Sequence, residues 1–102
     1  MINFIKNLFG PKADLKSIFQ NGAMIIDVRT PEEFKTGHIK GSVNIPVNKI
    51  ANQIEKIKKD NKTVITCCHS GARSAMAKDI LKSKGIETYN GGAWSSLKRQ
   101  LA

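Results

Sequence analysis

Apolar positions along the chain change their spacing several times, and each change marks an element. Leu15, Ile18 and Phe19 sit at helical spacing, and Asn21-Gly22 supplies a stop. Ala23-Met24-Ile25-Ile26-Asp27-Val28 is a short apolar run rich in branched residues, which predicts a buried strand. Thr30-Pro31-Glu32-Glu33 follows: a capping Thr, a Pro at the first helical position and a Glu three residues on open a short helix that Gly37 stops. Ser42-Val43-Asn44-Ile45 predicts a second strand, closed by Pro46. Asn48 is expected to cap a helix that places Ile50, Ile54 and Ile57 on one face. Thr63-Val64-Ile65-Thr66-Cys67 reads as a third strand. From Ser74, the residues Met76, Ala77, Ile80 and Leu81 form a helical stripe that ends at Gly85. Ile86-Glu87-Thr88-Tyr89 is a fourth strand, and Gly91-Gly92 is expected to turn the chain into a last basic helix around Trp94 and Leu97.

Strands alternate with helices throughout. That order predicts an α/β domain with a mainly parallel sheet covered by helices on both faces. Ligands of such sheets sit outside the carboxyl ends of the strands. The segment from Cys68 to Arg73 falls at that place, between the third strand and its helix.

At 102 residues the chain has room for one domain. The division expected is an N-terminal arm over 1–12, ending at the breaker pair Gly10-Pro11, and a folded domain over 13–102. With 40% apolar and 25% charged residues the composition is that of a globular domain rather than a disordered one. No run approaches the roughly 20 apolar residues of a membrane span. The apolar residues of the arm are interrupted by Asn3, Lys6 and Asn7, so no continuous signal-peptide core is present, and a cytoplasmic location is expected. Cys67 and Cys68 are neighbours. They would close too small a loop to staple the fold, and they match no zinc spacing, so no metal is expected. The net charge of +9 is spread over several segments and is not interleaved with aromatic residues. Nucleic-acid binding therefore has little support; plain solubility or an anionic partner accounts for the charge better.

The candidate chemistry lies in Cys68-His69-Ser70-Gly71-Ala72-Arg73, followed by Ser74. A thiol at the end of a buried strand is held rigidly and can face a pocket. Ser70, Gly71 and Ala72 are small enough for the loop to curl with its N–H groups inward, as an anion nest. The following helix adds partial positive charge at its start, and Arg73 and a protonated His69 add more. Such surroundings favour the reactive thiolate. A cysteine in this place can also be simply a small buried apolar group. A thiolate in an anion cradle suits sulfur transfer, phosphate chemistry or oxyanion reduction alike. Cys67, on the other face of the strand, is expected to pack in the core.

The sequence resembles the rhodanese-like domain family over roughly residues 13 to 97. The marks are Ile26-Asp27-Val28-Arg29, then Glu33-Phe34, then Gly37-His38-Ile39-Lys40-Gly41-Ser42 with Asn44-Ile45-Pro46, the Cys-x-x-Gly-x-Arg-Ser loop at Cys68, and Gly91-Gly92-Ala93-Trp94. The resemblance implies a rhodanese-like three-layer domain with a four- to five-stranded sheet. It also implies a small sulfurtransferase without metal or organic cofactor. In it Cys68 takes sulfane sulfur from a small anionic donor, thiosulfate or a persulfide, and passes it through a Cys68 persulfide to cyanide or a thiol. His69, Ser70, Gly71, Ala72 and Arg73 form the substrate-binding loop, with Arg73 both fixing the loop and drawing the donor. The related phosphatases carry a loop one residue longer. Many members have Arg or Lys where this chain has His69, a weaker cation. Asp27, Arg29 and Trp94 are expected to support the site structurally, and His38 to pack and hydrogen-bond in a turn. The alternative within the family is a persulfide carrier or binding module that serves a partner protein, with Lys98-Arg99 as a dock for an acidic one.

Overall fold

The computed structural model describes residues 13–102. The arm read over 1–12 lies outside the described residues. Four parallel strands, β1 (Met24–Asp27), β2 (Val43–Asn44), β3 (Val64–Cys68) and β4 (Thr88–Ala93), form one sheet in the order β2-β1-β3-β4. The helices are α1 (Leu15–Gln20), α2 (Pro31–Lys35), α3 (Ile54–Asp60), α4 (Ala72–Ser83) and α5 (Trp94–Leu101), and a 3-10 helix (Val47–Gln53) leads into α3.

The pleat sorts the core into two layers, because successive side chains of a strand point to opposite faces. Ile26, Val28, Val64 and Cys68 face the 3-10 helix, α3 and α4, where Ile50, Ile54, Ile57, Ala77 and Leu81 cover them. Ile25, Ile65 and Cys67 face α1 and α5, where Leu15, Ile18, Phe19, Trp94 and Leu97 cover them. The expected α/β architecture with helices on both faces is therefore the observed one, with four strands. Cys67 is fully buried in the second layer.

Local chemistry explains the element ends. Asp14 caps α1 by accepting the Ser17 amide. Thr30 and Glu33 form the full capping box at the start of α2: Thr30 Oγ1 accepts the Glu33 amide, and Glu33 Oε1 accepts the Thr30 amide.

Three expectations fail locally. Asn48 caps nothing: the segment starts two residues earlier as a 3-10 helix behind Pro46, whose carbonyl accepts the Lys49 amide. Met76 is not part of the core stripe. It is 58% exposed, because α4 turns Ala77 and Leu81 inward and leaves Met76 on the outer face. Gly91-Gly92 is not a turn; both glycines lie inside β4. A Cβ on Gly91 would come within 2.8 Å of both Leu97 Cδ2 and the Thr66 carbonyl, so only glycine lets the strand lie so close to its neighbours. Gly92, at φ +76°, takes up the register shift between Thr66 and Cys68 and returns Ala93 to pair with Cys68.

Candidate active site

Cys68 is the last residue of β3, at the carboxyl end of a central strand. The chain must turn sharply there to enter α4. Gly71 makes the turn in the left-handed region, at φ +107°, and serves as the N-cap of α4 without any side-chain oxygen to offer. The sulfur takes over that task. Cys68 Sγ accepts the Gly71 amide at 3.0 Å and the Ser74 amide, in the first turn of α4, at 3.4 Å. The first amides of a helix have no acceptor within it, and here they are aimed at the sulfur.

Ser74 completes the surroundings. It is fully buried, and its Oγ lies 3.3 Å from Cys68 Sγ, 3.1 Å from the Gly71 carbonyl and 2.7 Å from Asn90 Oδ1. The Cys68 side chain is 1% exposed, and burial alone would push its thiol up. Hydrogen bonds from the Ser74 hydroxyl and from the amides of Ser74, Gly71 and Ser70 outweigh burial and hold it below the ordinary thiol value. Cys67 is the opposite case. Burial, aided by the nearby Asp27 carboxylate, pushes its thiol up to about 12, so it stays protonated and unreactive.

His69 and Ser70 are exposed at the mouth of the site, and Ala72 lies beside them on the first turn of α4. Arg73 does not point freely at the mouth. Its guanidinium donates to both carboxylate oxygens of Glu33, at 2.7 and 3.0 Å. This pair ties the start of α4 to the start of α2. It also holds the Glu33 carboxyl down at about 2, with the Thr30 amide assisting.

Asp27, Arg29 and Trp94 lie on the other side of the sheet. Arg29 is 3% exposed and Asp27 fully buried. Arg29 Nε and Nη2 donate to the Asp27 carboxylate, and the guanidinium lies 4.8 Å from the Trp94 ring centroid. Arg29 also donates to the carbonyls of Glu33, in the middle of α2, and Gly37, just beyond it, which ties that helix and its exit to the sheet. His38 packs flat on Phe34, ring centroids 3.7 Å apart, with Nδ1 2.8 Å from the Phe34 carbonyl. It contributes nothing to the sulfur's surroundings. Among the described residues no group of three or more His, Cys, Asp or Glu side chains could hold a metal ion, and both cysteines are free thiols.

Three residues have a part at the site that the sequence does not show. Ser74 closes the Cys-x-x-Gly-x-Arg-Ser loop, but nothing near it in sequence assigns its hydroxyl to the sulfur. Glu33 was read as a capping residue alone, although its place in the Glu33-Phe34 mark could have suggested more. Asn90 carried no signal, because its approach to Ser74 depends on the pairing of β3 with β4.

The chain as a whole is similar to several known proteins. The chain is 39% identical over 61 residues to thiosulfate sulfurtransferase PspE of Escherichia coli (strain K12), covering 59% of this chain and 59% of that protein. It is 28% identical over 76 residues to thiosulfate sulfurtransferase GlpE of Pseudomonas aeruginosa (strain PAO1), covering 74% and 69%. The chain thus spans little more than half the length of PspE. A solved structure of rhodanese with anions from E. coli matches with a TM-score of 0.67 at 33% identity, over 72% of this chain and 89% of that one. The rhodanese-like domain family matches residues 11–96, and the chain belongs to that family.

Proposed function

We propose that this domain is a sulfurtransferase that works through a persulfide on Cys68. The thiolate attacks the outer sulfur of a donor such as thiosulfate. The Sγ–S bond forms as the S–S bond of the donor breaks, and sulfite leaves with that electron pair. Cyanide or a thiolate then attacks the outer sulfur of the persulfide, and the Cys68 thiolate is regenerated. The observation that carries this reading is the pair of amides, from Gly71 and Ser74, donated to Cys68 Sγ at 3.0 and 3.4 Å. They stabilise a thiolate before the reaction, when it must be present, and need no rearrangement to do so.

The relatives named as thiosulfate sulfurtransferases support the same class of reaction. No metal or organic cofactor enters it. A free thiol nucleophile suits a reducing compartment, and a cytoplasmic location is part of the proposal. So is the division into an arm over 1–12 and a domain over 13–102. The described residues contain no helix long and apolar enough to cross a membrane.

One observation favours a second reading, that of a persulfide carrier. Arg73 is engaged by Glu33, which leaves less free positive charge at the mouth for a dianionic donor than the loop sequence suggests. A persulfide supplied by another protein needs less charge, and the exposed Lys98 and Arg99 offer a dock for an acidic one.

Intact mass after brief incubation with thiosulfate tests the main reading. The wild-type protein is expected to gain one sulfur that cyanide removes, and Cys68→Ser to gain none. No gain on the wild type would overturn thiosulfate turnover and leave the carrier reading standing.

A further inference from the structure

The Ser74 hydroxyl has one proton and three acceptors within reach: Cys68 Sγ, the Gly71 carbonyl and Asn90 Oδ1. The shortest contact is to Asn90, at 2.7 Å. The Asn90 amide is fixed at both ends, since its Oδ1 also accepts the Gly92 amide at 2.9 Å and its Nδ2 donates to the Gly71 carbonyl at 3.3 Å. Asn90 thus presents a stationary acceptor, set opposite the sulfur, to a hydroxyl that can rotate between them.

We propose that Asn90 is a positioning residue that acts on the nucleophile through Ser74, by holding the Ser74 proton whenever the sulfur carries no charge. With a Cys68 thiol, S–H donates to Ser74 Oγ and the Ser74 O–H donates to Asn90. With the thiolate, the Ser74 O–H turns to Sγ. In the persulfide the negative charge moves to the outer sulfur, so the inner Sγ loses its claim on the Ser74 proton and Asn90 takes it back. The hydroxyl therefore follows the sulfur charge through each half of the cycle. Asn90 favours the uncharged inner sulfur in competition with the thiolate.

The proposal rests on Cys68 as the nucleophile, but its test does not depend on sulfur transfer. The measurement is the pH dependence of Cys68 alkylation by iodoacetamide, with the modified residue identified by mass. Asn90 is exposed at the end of the site, so its replacement leaves the core untouched. Asn90→Ala frees the Ser74 proton for the thiolate, and the alkylation midpoint is expected to fall by about half a pH unit, the size set by one modest hydrogen bond. Ser74→Ala is expected to raise the midpoint. In the Ser74→Ala background, Asn90→Ala is expected to change nothing. A second variant, Asn90→Asp, offers Ser74 a stronger acceptor and is expected to raise the midpoint. An Asn90→Ala shift that persists without Ser74, an upward shift, or no shift in either background would overturn the proposal and leave Asn90 as a brace for the loop. Failure of alkylated Cys68 to appear in any variant would instead refute the nucleophile itself.

Discussion

Arg73 and Glu33 stand 40 positions apart and meet in a two-pronged pair, with contacts of 2.7 and 3.0 Å, that closes one side of the active loop. Both side chains are about one-third exposed. The pair therefore acts less as a source of stability, worth up to about 1 kcal/mol at such exposure, than as a neutralised wall. Glu33→Gln keeps the size of the side chain and releases the Arg73 charge. Its KM for thiosulfate is expected to fall roughly threefold, equivalent to about 0.6 kcal/mol, with kcat little changed. Steady-state kinetics check this; an unchanged KM would show that Arg73 already serves the donor from within the pair.

The same pair has a signature in acid. Glu33 is held at about 2, against an ordinary value of 4.5. Its contribution is thus fully present above the ordinary value and is lost as pH falls toward 2. Urea melts are expected to show wild type losing more stability than Glu33→Gln between about pH 5 and about pH 2. Parallel losses in the two proteins would remove Glu33 from the acid response.

The two cysteines are expected to separate cleanly in alkylation. Cys68 should react with a midpoint below the ordinary thiol range, because amides and the Ser74 hydroxyl favour its thiolate. Cys67, pushed up to about 12, should remain unmodified in the folded protein at neutral pH. Mass mapping after a short pulse decides it, and label on Cys67 before Cys68 would contradict the assignment.

Asp27 and Arg29 form the buried pair, and breaking it should be costly. Arg29→Leu strands a carboxylate that is fully buried and strips the carbonyls of Glu33 and Gly37 of a donor. A loss of about 3 kcal/mol is expected in urea unfolding, the usual size for removing one partner of a buried ion pair. Replacing both residues by apolar ones should cost less than Arg29→Leu alone.

Two glycines separate space from backbone conformation. Gly91→Ala would place its Cβ against Leu97, Thr66 and Ile65, at 2.8 to 2.9 Å, and is expected to cost at least about 2 kcal/mol. Gly41→Ala meets nothing within 4 Å and has only its φ of +86° to resist it, an expected cost of about 1 kcal/mol. Thermal unfolding of the two variants gives the comparison, and equal losses would mean that β4 yields more readily than its contacts suggest.

What could be read from the sequence was what the chain writes locally. The capping box at Thr30 and Glu33, the branched strand residues, the small-residue loop after Cys68 and the stripe of Ile50, Ile54 and Ile57 all lie within a few positions of one another. Each therefore shows in a short window. The partners that finish the site come from afar. Glu33 reaches Arg73 only because α2 and α4 both start at the carboxyl ends of the neighbouring central strands β1 and β3, and Asn90 reaches Ser74 only because β4 lies beside β3. Met76 deceived for a related reason: helical spacing marks a face, but only the packed sheet decides how wide the buried face is. Gly91-Gly92 has the composition of a turn, and a close approach to the core overrides it.

Cys67 and Cys68 are consecutive residues of one strand, yet they lie in different layers of the protein. A sheet stands between their side chains. In the persulfide proposed above, the sulfur atom carried on Cys68 would therefore have no internal exit. The neighbouring thiol cannot displace it, and no disulfide between the two can discharge it without untwisting β3. The load must wait for a visitor from outside, so the lifetime of the charged protein is set by whatever reaches the mouth beside His69 and Ser70. On the proposed chemistry, a domain built this way would keep what it is given until the right acceptor arrives.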